Sequence, residues 1–127
     1  METVHVIACV IERDGCYLIC RRPPDKRHGG MWEFPGGKLE AGESMFDAAQ
    51  RELAEELSMQ VHSVAAPLLA VHDSGSPYVI SFTPVQASGD PQLREHTDCR
   101  WLSPAQLAEL PLAPSDRRFV DYLRTKP

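Results

Sequence analysis

The fold is constrained above all by residues 44–57, a segment that reads as a helix crowded with carboxylates. Ser44 can cap it, and neither Gly nor Pro interrupts it. At about 100° per residue, one arc of about 80° collects the apolar stripe expected to face the core: Phe46, Ala49, Leu53 and Leu57. An adjacent arc of about 100° collects three acids: Glu52, Glu55 and Glu56. We therefore expect a helix that buries one face and presents three carboxylates at the edge of that face.

Three like charges at this spacing repel one another and destabilise a helix. A divalent cation among them would relieve the repulsion, because Mg²⁺ takes carboxylate and carbonyl oxygens together with several waters. Gly36 and Gly37, just before the helix, let the backbone approach a ligand closely and turn a carbonyl toward it. Taken alone, the residues leave both a metal site and a solvated acidic face open, and the glycine pair favours the metal site.

The chain of 127 residues is expected to be one domain, 1–127, and its charge separates into two neighbouring blocks. Its net charge of −5, from 13 basic and 18 acidic residues, argues against a surface that binds nucleic acid. Residues 37–57 hold six acids against two bases, whereas residues 21–27 are basic, a pairing that suits a polyanion arriving with a divalent cation. The apolar runs are too short to cross a membrane and no signal peptide is recognisable, so we expect a cytoplasmic protein.

Outside the acidic helix, the chain alternates between strand-like and helical segments. The β-rich runs are 4–11, 16–22, 61–73, 77–86 and 98–102. Asp14-Gly15 predicts a hairpin turn between the first two runs. Residues 23–43 are too rich in Pro and Gly for regular structure and predict a long functional loop. Segments 103–110 and 115–123 read as helices that open with Ser, so the pattern predicts a mixed α/β domain with helices packed on the sheet.

The cysteines and two loop histidines suggest no site by themselves. The four cysteines form no CxxC pair, so we expect them to be reduced and packed as small apolar side chains: Cys9, Cys16, Cys20 and Cys99. His28 and His96 lie in loops, and the sequence assigns no role to either.

Residues 37–59 resemble the Nudix box, in which glycine, glutamate, arginine and paired glutamates stand at fixed spacings. The matching residues are Gly37, Glu43, Arg51, Glu52, Glu55 and Glu56. The stretches WEFPGGKLEAGE and WLSPAQLAELPLAPSDRRFV resemble the MutT-like branch of the family, whose members hydrolyse (deoxy)nucleoside triphosphates. The resemblance implies the Nudix fold, an α/β/α sandwich around a mixed sheet in which the box forms loop, helix and loop. It also implies Mg²⁺ or Mn²⁺ as the cofactor.

One box position departs from the family, because Ser58 stands where the family prefers Gly. A glycine at a helix end adopts positive φ at no steric cost, whereas serine carries a penalty of roughly 1 kcal/mol in that conformation. We therefore predict a strained or rearranged helix end at Ser58.

The resemblance also assigns roles within the box. Glu52, Glu55 and Glu56 would be the catalytic metal ligands, and the backbone carbonyl of Gly36 or Gly37 would complete the coordination. We nominate Glu52 to orient or deprotonate the attacking water.

Other acids would assist or support this centre. Many relatives take an acid from a loop before a late tryptophan, so Glu95 or Asp98 would be a general base or an extra ligand, unless both are solvated loop acids. Glu43 and Arg51 are expected to tie the loop to the helix through a salt bridge.

Basic residues beside the box are candidates for the phosphates. Arg21 and Arg22 alternate in direction along the second strand-like run, so one of the pair should face the cleft and grip a phosphate. Lys38 is a second candidate, whereas Lys26 and Arg27 better suit a solvated loop.

The base would meet aromatic and polar side chains. Phe34, Tyr78 and Phe82 are core residues by default, although Phe34 and one residue of the 77–83 strand could stack on a base. The resemblance places a base-reading polar residue at the start of the last helix, which makes Asp116 the candidate, with Ser115 beside it. Helix capping is the alternative role for Asp116.

Together these features predict Mg²⁺-dependent hydrolysis of a (deoxy)nucleoside triphosphate to the monophosphate and pyrophosphate. The substrate would be an oxidised nucleotide such as 8-oxo-dGTP or a CTP or dCTP-type nucleotide, and LAPSD looks closer to relatives acting on cytidine nucleotides. The alternatives are hydrolysis of another nucleoside diphosphate-linked compound, or a nucleotide-binding module without catalysis. We expect a small-molecule nucleotide as partner rather than nucleic acid or membrane, and a monomer or homodimer.

Overall fold

Residues 2–72 and 74–126, which the computed structural model describes, form nine strands and three helices. The strands are β1 Val4–Val10, β2 Glu12–Arg13, β3 Cys16–Arg21, β4 Trp32–Glu33, β5 Gly36–Lys38, β6 Gln60–Val64, β7 Leu69–His72, β8 Tyr78–Ser88 and β9 Asp98–Leu102. The helices are α1 Met45–Leu57, α2 Pro104–Ala108 and α3 Pro114–Thr125. Asp73, the last residue of the predicted run 61–73, lies outside the described residues.

A mixed sheet is built around a central parallel pair, β1 and β8. β5 pairs antiparallel with β1, and β6 and β7 pair antiparallel with different stretches of the long strand β8. In this register Gly37 lies opposite Ile7, and Gly36 lies opposite Ala8. The glycines of the box are therefore held in the sheet by β1 rather than left in a free loop.

A second sheet contains β2, β3 and β4, with β9 paired to β3. Asp14 and Gly15 have φ values of 52° and 79°, which suit a tight two-residue hairpin. The predicted hairpin is confirmed, but it joins β3 to the short strand β2 rather than to β1. The reason is that β1 has its edges paired with β5 and β8 in the other sheet.

Alternate residues of β1 pack on opposite faces of the sheet, because side chains of a strand point to its two sides in turn. Ile7 and Cys9 belong to the apolar cluster that contains Leu53 of α1. Ala8 belongs to the cluster that contains Phe119 of α3. Helices thus cover both faces, and the predicted mixed α/β sandwich is confirmed. Each fully buried leucine or phenylalanine here contributes about 1.5–3 kcal/mol to stability.

Helix α1 begins as predicted, with a reciprocal cap between Ser44 and Asp47. Its buried residues are Ala48, Ala49, Leu53, Glu56 and Leu57. Phe46, expected in the core-facing stripe, is instead 40% exposed, and Ala48 takes its place. The stripe is therefore shifted toward residues with small side chains, and it includes one carboxylate.

Helix α1 ends at Ser58 in the left-handed conformation, with φ 56° and ψ 35°. The predicted strained end is confirmed, since a non-glycine residue in this region carries a cost of about 1 kcal/mol. The Ser58 amide donates to the carbonyl of Ala54 at 3.2 Å, and the Ser58 hydroxyl accepts from Arg94 Nε. The serine therefore gains a side-chain contact that a glycine could not make.

Two predicted segments are divided differently in the structure. The run 61–73 splits into β6 and β7, with Pro67 in the gap, because proline has no N–H to contribute to the strand ladder. The segment 23–43 is not wholly irregular, because it contains β4 and β5. Both short strands pair with neighbours distant in sequence, a feature that local composition does not reveal.

The two C-terminal helices differ in how they begin. Ser103 caps α2 through a reciprocal bond with Gln106, as predicted. Helix α3 instead follows Ala113, which has no capping side chain, and Pro114 is its first residue. Ser115 is therefore inside the helix, and its predicted opening role is wrong.

Candidate active site

Arg51 fastens the loop before α1 to the helix. Its Nε and NH2 atoms donate to the two carboxylate oxygens of Glu43 at 2.9 and 2.8 Å, and NH2 also donates to the Lys38 carbonyl. Its NH1 atom donates to Glu52 Oε1 at 2.7 Å. The hydrogen bonds from Arg51, and then the one from the Glu40 amide, lower the pKa of Glu43 to about 2. The predicted salt bridge between Glu43 and Arg51 is confirmed.

The two glycines of β5 are required for different reasons. A Cβ at Gly37 would collide with the carboxylate of Glu52. A Cβ at Gly36 would collide with the carbonyl of Ile7, and Gly36 also has a φ of 152°, which disfavours other residues. Gly37 is thus the contact between the sheet and the first glutamate of the helix.

Glu56 lies inside the protein rather than at the edge of the helix. Its side chain is 5% exposed, and its Oε2 atom has no hydrogen-bond partner among the residues that the structure describes. Burial raises its pKa, followed by hydrogen bonding with Glu52 and by the nearby charges of Glu33 and Glu95. An unpartnered buried carboxyl oxygen among other acids is costly and fits a ligand atom for a cation.

Glu55 differs from its two neighbours, because its side chain is 55% exposed, with Oε2 at 3.9 Å from Arg51 NH1. Across residues 2–72 and 74–126, no three His, Cys, Asp or Glu side chains are already arranged to hold a metal ion. The acids of α1 nevertheless fit one, since Glu56 offers an unsatisfied oxygen and Glu52 lies beside the Gly37 backbone.

A row of four side chains leads from Arg22 to Glu56. Arg22 NH1 donates to Glu33 Oε1 at 2.7 Å, and the other oxygen of Glu33, Oε2, lies 3.1 Å from His96 Nε2. The same His96 nitrogen lies 3.7 Å from Glu56 Oε1. We call these four residues the Arg22–Glu56 row.

The loop before β9 is held against the end of α1 by its backbone. The amides of Gln92 and Arg94 donate to the carbonyls of Leu57 and Glu56 at 2.9 and 3.3 Å. The Thr97 amide donates to the Arg21 carbonyl at 3.1 Å. These bonds fix the intervening segment 95–96 between α1 and the end of β3.

Of the two loop acids considered, Glu95 and not Asp98 is near the box. Glu95 contributes to the raised pKa of Glu56. Asp98 is paired instead with Arg100, whose NH2 atom lies 3.1 Å from its Oδ2. Because Arg100 occupies the Asp98 carboxylate, Glu95 replaces Asp98 as the acid that we propose to assist the box.

A cavity of about 640 Å³ opens beside the box. Residues of β1, β5 and β8 line it, together with the start of α3. Among the predicted site residues, it brings together Arg22, Phe34, Gly36, Gly37, Lys38, Tyr78, Ser115 and Asp116. The candidates for phosphate and for base thus share one cavity.

Only one of the two neighbouring arginines, Arg21 and Arg22, lines the cavity. Arg22 lines the cavity, whereas Arg21 is exposed and donates from Nε to the Gly30 carbonyl at 3.0 Å. Of the alternating pair, Arg22 is therefore the residue that faces the cleft. Lys38 lies at the cavity with its Nζ atom 5.3 Å from the centre of the Tyr78 ring.

Phe82 does not reach the cavity. It is 0% exposed and stacks on Phe119 with ring centres 4.6 Å apart and planes 2° from parallel. Its prediction as a substrate-binding residue is corrected, because the ring is fully enclosed in the core and does not line the cavity. Phe34 packs edge-on against Phe119 and still lines the cavity, and Tyr78 lines it without being fully buried.

Asp116 is buried and lines the cavity, and its Oδ1 atom accepts from the Phe34 amide at 2.9 Å. Burial raises its pKa to about 8, and Glu33 adds to the shift, while the Phe34 amide and Arg22 oppose it. The helix cap is Ala113, so the alternative capping role is not realised. At neutral pH a carboxyl with this pKa is mostly protonated and can both donate and accept.

Sequence reasoning missed Glu33 and left His96 without a role. Glu33 carries a signal in hindsight, because an acid between Trp32 and Phe34, two aromatic residues, requires a partner in a packed strand. Arg27 and His28 also line the cavity, although Arg27 was expected in a solvated loop. No local pattern marks these last two.

The sheet order, the loop–helix–loop at α1 and the acids on that helix define a class of protein. The sequence model of the NUDIX domain family matches residues 1–123, so the chain belongs to this family. It is a Nudix hydrolase of the MutT-like type. Nudix hydrolases generally need divalent metal ions.

Two sequence relatives and one solved structure are similar to this chain over most of its length. A CTP pyrophosphohydrolase of Escherichia coli (strain K12) is 37% identical over 126 residues, which cover 91% of this chain and 87% of that protein. A putative 8-oxo-dGTP diphosphatase 2 of Mycobacterium tuberculosis is 33% identical over 124 residues, covering 94% and 88%. A solved structure of MutT, from work on Aliivibrio salmonicida and Vibrio cholerae, matches with a TM-score of 0.82 at 30% identity, covering 96% and 97%. The predicted family, fold and enzyme class are confirmed.

The helices of the described residues include none that is long and apolar enough to span a membrane.

Proposed function

We propose that this chain hydrolyses a nucleoside triphosphate to the nucleoside monophosphate and pyrophosphate. One observation carries the proposal: a single cavity is lined by Asp116, suited to a base, and by Arg22 and Lys38, suited to phosphates. The same cavity reaches Gly37, which lies so near Glu52 that an added Cβ would collide with the Glu52 carboxylate. The names of the two relatives support this class, since CTP and 8-oxo-dGTP are both nucleoside triphosphates.

Mg²⁺ or Mn²⁺ would be held by Glu52, Glu55 and Glu56, with a backbone carbonyl of Gly36 or Gly37. When bound, such an ion supplies charge neutralisation, polarisation of the phosphoryl group and a bound water of lowered pKa. The unpartnered oxygen of Glu56 is the feature that supports this assignment.

The chain's own side chains would bind and orient the substrate. Arg22 places a fixed guanidinium, itself steadied by Glu33, where a phosphate oxygen can accept from it. Lys38 adds a second positive charge at the same cavity. Glu52 would accept a proton from the attacking water or orient it, and Glu95, whose charge acts on Glu56, is the second carboxylate that we propose to assist.

We further propose that the preferred base is cytosine. A protonated Asp116 can donate its O–H to the ring nitrogen N3 and accept from the exocyclic amino group, which matches the edge of cytosine. Uracil presents a ring N–H and a carbonyl in the reverse order and would need the carboxyl proton on the other oxygen, whereas the Phe34 amide donates to Oδ1 and so favours the proton on Oδ2. Phe34 and Tyr78 are the aromatic residues at this cavity that can contact the face of the base.

The test is a release assay with Mg²⁺ and a panel that contains CTP, dCTP, 8-oxo-dGTP, the other ordinary triphosphates and a nucleoside diphosphate sugar. We expect pyrophosphate and monophosphate from cytidine triphosphates first. A preference for 8-oxo-dGTP would keep the reaction and overturn the base assignment, and cleavage of the diphosphate sugar alone would overturn the substrate class. No turnover of any compound would leave a binding module.

Variants connect the reaction to its residues. Glu56→Gln and Glu55→Gln should each lower the rate by about 100-fold or more, because both remove a charged oxygen ligand. Glu109→Gln, at the exposed end of α2, is the matched control and should keep the full rate. Full activity in both box variants would contradict the metal assignment.

The base assignment has its own variant. Asp116→Ala should reduce the ratio of kcat/KM for CTP to that for UTP by about 10-fold, because the pair of hydrogen bonds is lost. The dependence of the rate on Mg²⁺ concentration should not change. An unaltered ratio would show that Asp116 does not read the base.

A further inference from the structure

The Arg22–Glu56 row connects the phosphate side of the site to the metal side through buried groups. His96, at its centre, has a side chain only 4% exposed. Its two neighbours on either side are acids that belong to different elements, Glu33 on β4 and Glu56 on α1. A histidine that only filled space would not need an acid at each side of one ring nitrogen.

The hydrogen bonds of the Arg22–Glu56 row show which atom of each residue contacts the next residue. Glu33 accepts from Arg22 through Oε1, so its Oε2 atom, 3.1 Å from His96 Nε2, is the acceptor for that nitrogen. The Nε2 atom is also 3.7 Å from Glu56 Oε1, within ion-pair range. His96 Nδ1 has no hydrogen-bond partner in the described part of the chain, so the ring orientation is set from the Nε2 side alone.

Backbone hydrogen bonds on both sides of His96 restrict the movement of the Arg22–Glu56 row. On one side of His96, the Arg94 amide is bonded to the Glu56 carbonyl, and on the other side the Thr97 amide is bonded to the Arg21 carbonyl. The histidine is therefore attached by the main chain to the helix that carries Glu56 and to the strand end that carries Arg22. A shift of either side chain changes the position of the same imidazole.

We propose that His96 is a positioning residue that links Arg22 to Glu56 through Glu33, so that binding of a triphosphate and binding of a divalent cation strengthen each other. When a phosphate draws Arg22, Glu33 moves with it and shifts the His96 ring, which contacts Glu56 Oε1 and so orients the unpartnered Oε2 of Glu56 for the cation. The link acts in both directions, since a coupling free energy between two ligands is reciprocal. This inference rests on the proposed function, which supplies the two ligands.

The experiment measures binding without catalysis. Free Mn²⁺ is followed by electron paramagnetic resonance during titration of the protein, alone and with saturating α,β-methylene-CTP, an analogue that resists cleavage. The ratio of the two Mn²⁺ dissociation constants is the coupling. Direct attraction between Mn²⁺ and the triphosphate is the same for every variant, so differences in the ratio report the contribution of the protein.

Four variants are compared with the unaltered chain. His96→Leu fills the space without a donor and should reduce the coupling by about fivefold or more. His96→Gln places a donor near the position of Nε2 and should restore it to within about twofold. Glu33→Gln, which breaks the row from the other side, should match His96→Leu. His62→Leu is the control, because His62 lies on β6 and contacts Ser88, and it should leave the coupling unchanged.

The outcomes separate this inference from the proposed function. If the unaltered protein binds neither Mn²⁺ nor the analogue, the proposed function fails and the inference with it. If both bind with coupling and His96→Leu and Glu33→Gln keep the full ratio, only the inference is overturned. A structural role for His96 alone would lower the melting temperature or weaken both ligands equally, without a change in the ratio. If His96→Leu does not fold, the result with Glu33→Gln decides.

Discussion

Two buried carboxyl groups, those of Glu56 and Asp116, lie at the metal side and the base side of the proposed substrate site. Burial is the first cause of the raised pKa of each. They differ in their partners, because Asp116 accepts a hydrogen bond from the Phe34 amide and Glu56 leaves Oε2 without one in the described residues. A buried acid without a ligand reduces the stability of the folded state, and the ligand offsets that cost.

Replacement of Asp116 by Asn should change how stability depends on pH. The pKa of Asp116 is about 8 in the folded protein and starts from 3.8 in the absence of its surroundings. Between these values the folded state holds a proton that the unfolded chain releases, so stability falls as pH rises through this window. Asp116→Asn removes this loss and keeps an acceptor for the Phe34 amide.

We therefore expect Asp116→Asn to be more stable than the unaltered protein by about 1–3 kcal/mol at pH 8, and similar to it at pH 4.5. Urea unfolding of the metal-free protein at four pH values measures this. Asp121→Asn, an exposed acid on the same helix, should run parallel to the unaltered protein. Parallel curves for Asp116→Asn as well would contradict the raised pKa.

The junction between β5 and α1 is the element on which the metal assignment depends. The sheet fixes Gly37 opposite Ile7, and Arg51 draws Glu43 and Glu52 to the same junction. The loop between strand and helix is therefore fastened at one end by strand pairing and at the other by the side-chain hydrogen bonds of Arg51.

Gly37→Ala should weaken metal binding without unfolding the protein. The added Cβ would displace the Glu52 carboxylate, and Gly37, unlike Gly36, has no positive φ to lose. We expect a fall of about 10-fold to 100-fold in Mn²⁺ affinity by titration calorimetry, with an unchanged circular dichroism spectrum.

Gly42→Ala is the control for this prediction. Gly42 has a φ of 80°, and a Cβ there meets nothing within 4 Å, so this variant should lose stability while it keeps the affinity for Mn²⁺. Equal affinities in both variants would show that Glu52 does not depend on the space at Gly37.

Whether the sequence predicted a feature depends on how far apart in the chain the contacting residues lie. The capped start of α1 and the Glu43–Arg51 salt bridge join residues close in the chain, and both were predictable. The contact between Glu33 and His96 joins residues 63 positions apart, which the pairing of β4 and β9 with β3 and the bonds of the loop to α1 bring together. The burial of Phe82 likewise depends on Phe119 of α3, which no local pattern connects to it.

Across the molecule, the sheet separates two apolar layers and places the proposed site at their border. The acids of α1 lie on the side of Cys9, whose thiol pKa is raised by its burial and then by Glu56 and Glu52. The cavity opens on the other side, where Phe34 packs in the cluster of α3. A substrate in the cavity with a cation at the acids of α1 would contact both faces of the sheet and so connect the two apolar clusters across β1 and β5.

Divalent cations should therefore stabilise the whole protein. At a free Mn²⁺ concentration of 100 times the dissociation constant, binding to the folded state alone adds about 2.7 kcal/mol to the free energy of unfolding. Glu56→Gln should abolish most of this gain, because the amide removes a charged oxygen ligand for the cation. Thermal melts with EDTA and with Mn²⁺ measure the gain and its loss. Glu109→Gln should respond as the unaltered protein does, and a full Mn²⁺ gain in Glu56→Gln would rule out its role as a ligand.

Ser58 couples the end of helix α1 to a second position, Arg94. Glycine at 58 would relieve the positive φ, but it would also remove the hydroxyl that accepts from Arg94. Arg94 belongs to the loop that carries Glu95 and His96, so the same change that favours the helix would loosen the neighbours of Glu56. We therefore expect substitutions at 58 and 94 to be epistatic: the effect of each on stability depends on the residue at the other position.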